Sequence, residues 1–114
     1  MELTEIRLKK LGDNFNSQGK ISQNEYNDYE QKKTDLVAVM DLVFDNVFIV
    51  KSIRVLEKKI DQGNREYMVL YPEAKIKNRY GEQVKVGSAF PIEKEFALSV
   101  KNQVINFLKE KEII

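Results

Sequence analysis

Residues 35–56, DLVAVMDLVFDNVFIVKSIRVL, decide how this chain folds. Two runs rich in β-branched and aromatic residues flank Asp45-Asn46, residue types that tolerate the two positive-φ positions of a two-residue type I′ turn. Such a turn fixes the register. It sets Phe44 against Val47, Leu42 against Ile49, Met40 against Lys51, Ala38 against Ile53 and Leu36 against Val55 on one face. The other face receives Val43/Phe48, Asp41/Val50, Val39/Ser52 and Val37/Arg54. Both faces are substantially apolar, so both call for a cover. A slip of one residue would exchange them, which makes the turn an important determinant of register.

One cover is visible at the end of the chain. Over residues 93–112, EKEFALSVKNQVINFLKEKE, the apolar period changes from two to three and four. Ala97, Val100, Val104, Phe107 and Leu108 make a helical stripe, widened by Phe96, Leu98 and Ile105, with Lys101, Gln103, Asn106, Lys109 and Glu110 facing outward. Glu93 and Glu95 at the start and Lys109 and Lys111 near the end suit the helix dipole. The second face of the hairpin then falls to another layer or a second copy, with Val39, Val43, Phe48 and Val50 as the expected dimer interface.

The remaining elements extend the sheet. Residues 3–11 alternate, with Thr4, Ile6 and Leu8 on one side and Glu5, Arg7 and Lys9 on the other, as a half-buried strand requires. Residues 57–65, EKKIDQGNR, read as a charged turn or loop, and 66–72, EYMVLYP, as a short strand stopped by Pro72. Residues 73–82 suggest a hairpin loop that twists out of the sheet, leading to a strand at 83–90 that ends before Pro91. Gly87 marks a bulge or a close approach. The fold class is therefore α+β: an antiparallel sheet of about five strands with a C-terminal amphipathic helix. Residues 12–34 form a polar insertion, either partly helical over Asn24–Lys33 or a loop.

Composition bounds the rest. The length of 114 residues fits one domain. With no Cys and no His there is no disulfide framework, no zinc finger and no Ser-His or Cys-His nucleophile pair. No signal-peptide core and no 18-residue apolar run occurs, so the expectation is a soluble, cytoplasmic protein without membrane contact. Neither GxGxxG nor a phosphate-binding GKS/GKT loop is present. Asp41 and Asp45, four apart on a strand, would stand about 13 Å from each other, beyond the roughly 5 to 9.5 Å of a glycosidase pair. Asp13, Glu25, Asp28 and Glu30 lack calcium-loop spacing. The reading is non-enzymatic, with no cofactor, no metal and no small-molecule substrate.

Charge is segregated along the chain although its net value is only +1. Lys75, Lys77, Arg79 and Lys85 stand against Glu82 alone over residues 75–85, with Tyr71 and Tyr80 nearby as stacking surfaces. Lys9, Lys10 and Arg54 extend this basic set if the strands bring them together. Two readings fit: a local polyanion-binding patch, or a solvated edge that resists sheet-to-sheet association.

The opening Met1-Glu2-Leu3-Thr4-Glu5-Ile6-Arg7-Leu8, the strand Phe48-Ile49-Val50-Lys51-Ser52-Ile53-Arg54-Val55-Leu56, the turn after Met68-Val69-Leu70-Tyr71-Pro72, and Ala89-Phe90-Pro91-Ile92 before an amphipathic helix resemble, in that order, the stage V sporulation protein G (SpoVG, septation regulator) family. The resemblance implies a small bacterial homodimer that binds DNA, and in some members RNA, and influences septation, sporulation or virulence genes. The chain departs from the family pattern in places. Glu73-Ala74-Lys75 replaces a Ser-Lys/Arg-Arg/Lys cluster, Phe90-Pro91-Ile92 replaces His-Pro-Ile, and residues 12–34 are inserted. A non-catalytic homodimeric protein-interaction or structural module is the alternative reading.

Overall fold

The computed structural model describes residues 1–16, 19–20, 34–61, 63–87 and 89–114. In chain order these form β1 (Leu3–Leu11), β2 (Phe15–Asn16), β3 (Gly19–Lys20), β4 (Thr34–Phe44), β5 (Phe48–Asp61), β6 (Asn64–Leu70), β7 (Glu73–Lys77), β8 (Gln83–Gly87) and helix α1 (Lys94–Glu110). The architecture is α+β, as expected. The principal sheet has four antiparallel strands in the order β1-β4-β5-β6, and β2-β3 and β7-β8 form separate two-stranded pairs. The alternative helix at 24–33 lies outside the described residues. No helix among those described is long and apolar enough to cross a membrane.

The β4–β5 hairpin forms, but one residue out of the expected register. Asp45 and Asn46 do take positive φ, 52° and 58°, and the Val47 N–H donates to the Phe44 carbonyl at 3.1 Å. The ladder nevertheless begins with Phe44 opposite Phe48, followed by Val43/Ile49 and Leu42/Val50, so the loop has three residues. The first strand explains the difference. The Asp45 N–H donates to the Glu2 carbonyl at 2.8 Å, the Glu2 N–H donates to Asp45 Oδ1 at 2.8 Å, and the Asn46 N–H donates to Thr4 Oγ1 at 3.0 Å. The bend is shared by three strands and answers to more than its own two residues.

Two bulges then act on the register. Between Leu42/Val50 and Met40/Ile53, Lys51 and Ser52 together oppose Asp41. Ser52 sits at φ 64°, a conformation that costs a side-chain-bearing residue about 1–2 kcal/mol. Asp41 compensates: its buried carboxylate accepts the Ser52 N–H at 3.0 Å and pairs with Lys9 Nζ at 3.3 Å. Farther along, Val37 is an extra residue on β4 between Ala38/Val55 and Leu36/Leu56, and it is fully buried.

Residues 57–61, expected to be loop, continue β5 instead. Glu57 opposes Tyr67, Lys58 opposes Glu66 and Lys59 opposes Arg65, so Lys58 meets an opposite charge across the strands and Arg65 turns to Glu57 at 2.8 Å rather than to the lysine it faces. Glu57 is buried and accepts hydrogen bonds from Arg65 Nη1 at 2.8 Å and Tyr67 Oη at 3.3 Å.

The core lies between this sheet and α1. Val100, Val104 and Leu108 bury against Ala38, Met40, Leu42, Ile53 and Val55, with Phe96 and Phe107 packed at the margin. Leu98, counted in the expected stripe, is exposed. The helix ends in a Schellman-type turn. Glu112 takes φ 61°, its N–H donates to the Lys109 carbonyl, and the Ile113 N–H donates to that of Leu108, which buries Ile113. At the start of the insertion a Cβ on Gly12 would stand 1.6 Å from the Leu36 carbonyl oxygen, so only glycine lets the chain lie this close to β4.

Candidate nucleic-acid interface

The β7–β8 ribbon grows from a break in the ladder. Pro72 has no N–H to continue β6, and the chain leaves the four-stranded sheet there. Its register is regular: Glu73/Gly87, Ala74/Val86, Lys75/Lys85, Ile76/Val84 and Lys77/Gln83. Because successive residues alternate between faces, positions 73, 75, 77, 83, 85 and 87 share one face and positions 74, 76, 84 and 86 the other. Three of the four basic residues singled out by sequence thus fall on one face, and the apolar residues Ala74, Ile76, Val84 and Val86 on its reverse. Two lysines hold directly opposed positions, an arrangement that costs a strand pair stability.

The tip is strongly ordered by its own hydrogen bonds. The Gly81 N–H donates to the Asn78 carbonyl at 3.0 Å and the Asn78 N–H to the Glu82 carbonyl at 2.9 Å. Asn78 Oδ1 accepts the backbone N–H groups of Tyr80 at 2.9 Å and Glu82 at 3.0 Å. Gly81 takes φ 80°, the left-handed position that closes a three-residue hairpin loop. This loop displays Arg79 and Tyr80, and Tyr80 is 77% exposed. The signal was present in the sequence as Asn and Gly at the first and fourth turn positions.

The other basic candidates divide. Lys9 is drawn to Asp41. Lys10 and Arg54 flank Val39 in one cross-strand row on the sheet face opposite α1, in a different sheet from the ribbon. Tyr71 does not join Tyr80: it is half-buried against the core, and burial raises its phenol above the ordinary range. On the sheet, Arg7 donates from Nε to Glu5 at 2.8 Å, which holds the Glu5 carboxyl below its usual range.

The expected dimer residues are split as well. With Phe48 in line with Phe44, Phe48 and Val50 turn to the helix side, and Val50 joins the core. Val39 and Val43 remain on the outer face, where register also places Leu36, Leu56, Met68 and Leu70. Asp41 and Asp45, the candidate carboxylate pair, both have structural tasks, one at the bulge and one at the turn. Glu25, Asp28 and Glu30 lie outside the described residues, among which no three acidic side chains converge.

Sequence reasoning missed one surface. An open apolar groove of about 660 Å³ lies at the N-terminal end of α1, between Phe44, Phe48, Val50, Tyr71, Phe90 and Phe96. Ile92 at its rim is 93% exposed. The one-residue register shift carries Phe48 and Val50 into it, so no alternation argument based on a two-residue turn would have found it. No protein-family model matches this chain, and no curated protein or solved structure is significantly similar to it.

Proposed function

We propose that this protein is a non-enzymatic, dimeric nucleic-acid-binding regulator of the cytoplasm, acting on DNA or RNA in septation, sporulation or gene expression, as the SpoVG resemblance implies. One observation carries the binding reading: the β7–β8 ribbon gathers Lys75, Lys77 and Lys85 at positions on one face and Arg79 at its tip. A two-stranded ribbon is an element that a nucleic-acid groove admits. Basic side chains along it would release counterions from phosphates, which gives affinity a steep salt dependence.

The test is fluorescence anisotropy with labelled DNA and RNA, single-stranded and duplex, over about 50 to 200 mM salt. Lys75→Ala with Lys77→Ala should weaken binding evenly across sequences and lower the log–log salt slope by about two, one per lost phosphate contact. Absence of association at the lowest salt overturns the reading. For the dimer, the supporting surface is the outer sheet face with Val39 among Leu36, Leu56, Met68 and Leu70. Sedimentation should show Val39→Asp to be a folded monomer, since a charge there opposes burial in an interface. A wild-type monomer at micromolar concentration refutes assembly.

The apolar groove favours a second reading, a protein-interaction module. Recovery of a protein partner after nuclease treatment, lost on Phe48→Asp, would support it over the first.

A further inference from the structure

We infer that the tip of the β7–β8 ribbon is a base-stacking site for single-stranded nucleic acid, with the Tyr80 ring as platform and Arg79 and Lys77 as phosphate contacts beside it. The inference rests on the nucleic-acid reading and deepens it by naming the form of the ligand. Three observations combine. Tyr80 is 77% exposed, although an aromatic ring of that size ordinarily buries much of its surface. The loop that carries it is closed by four hydrogen bonds around Asn78, so little backbone freedom remains to be lost on binding. Exposed Lys77 and Arg79 stand three positions and one position before it, and Arg79 is its immediate neighbour in the loop.

A protruding, pre-ordered tyrosine has nothing to stack on in an intact duplex, whose base faces cover one another. Entry there would require unstacking a step, at a cost of a few kcal/mol. An unpaired base offers its face at no such cost, and stacking is tolerant of sequence because every base has a π-face. The ribbon therefore divides its work: its basic residues supply salt-sensitive attraction and the Tyr80 ring supplies a salt-insensitive contact.

The experiment uses the full chain and a fluorescein-labelled mixed-sequence single strand, as DNA and as RNA, beside the matching duplex. Tyr80→Ala should weaken single-strand binding roughly 5- to 100-fold, the range of one lost aromatic–base stack, with the salt slope unchanged. Tyr80→Phe should bind like wild type, whereas Tyr80→Leu should resemble Tyr80→Ala. Duplex affinity should stay within about twofold, since the lysine face still meets its phosphates. Circular dichroism of each variant checks the fold. Wild-type single-strand affinity in Tyr80→Ala overturns the inference while leaving the nucleic-acid reading intact. An equal loss for duplex and single strand overturns the assignment to unpaired bases. Failure of wild-type protein to bind any probe at low salt overturns both.

Discussion

Two of the molecule's hairpins are of opposite character. β4–β5 is long, bulged and held on both sides, by β1 and β6 as neighbours and by α1 on one face. β7–β8 is short, regular and belongs to no larger sheet. In the first, alternation is overruled by partners: Asp41 and Glu57 are buried on account of what they bond. In the second, alternation acts unopposed and sorts lysines from aliphatic residues. Burial by neighbours gives the first hairpin stability, whereas Ile76 and Val84 of the second stay open to solvent.

The strongest test of this contrast removes the same side chain from each. Ile53 is fully buried and Ile76 is 52% exposed. Ile53→Ala should cost about 2–5 kcal/mol through the cavity it leaves, and Ile76→Ala no more than about 1 kcal/mol, both read from urea midpoints. Equal losses would mean that the ribbon is packed as tightly as the sheet. The next test acts on the bulge. Asp41→Ala leaves the Ser52 N–H and Lys9 without their acceptor and should cost about 1–3 kcal/mol, whereas Ser52→Gly should raise stability by about 0.5–1 kcal/mol by relieving the positive φ. A destabilised Ser52→Gly would show that the serine side chain serves the bulge in another way.

The smallest effect is alkaline. Tyr67 has its phenol pushed above the ordinary value, first by burial and then by the Glu57 carboxylate, and Tyr71 is raised by burial. A folded-state value above the unfolded one, near 10, means that the contribution is complete below that pH and lost as pH rises through the folded value. Tyr67→Phe should therefore flatten the fall in stability above about pH 10, leaving the part due to Tyr71. Parallel profiles for wild type and variant would remove Tyr67 from the explanation.

The elements themselves were legible because each rests on local chemistry: β-branched runs for β4 and β5, a three-four period for α1, Pro72 as a stop; the strand expected over 83–90 is shorter, since β8 ends at Gly87, ahead of Pro91. What sequence alone misplaced depended on distant partners. The turn at Asp45-Asn46 has the expected backbone, but Glu2 and Thr4 bond to it and the ladder starts one residue later, which moves Phe48 and Val50 across the sheet. Residues 57–61 read as loop because their charges were counted without Arg65, Glu66 and Tyr67 opposite them. The ribbon was readable as a basic hairpin that leaves the sheet. Its division into two faces required the register, which pairs Lys75 with Lys85.

Ser52 adds a residue to β5 and Val37 adds one to β4, so the two strands regain equal length before their open end. Each insertion undoes the frame change made by the other. Deleting Ser52 alone would displace everything from Ile53 onward against β4, while deleting Ser52 and Val37 together would confine the disturbance to the stretch between them. The hairpin thus has two separately editable ends, and designers seeking to graft a new bend at 45–47 need not retune the pairing of Thr34, Asp35 and Leu36.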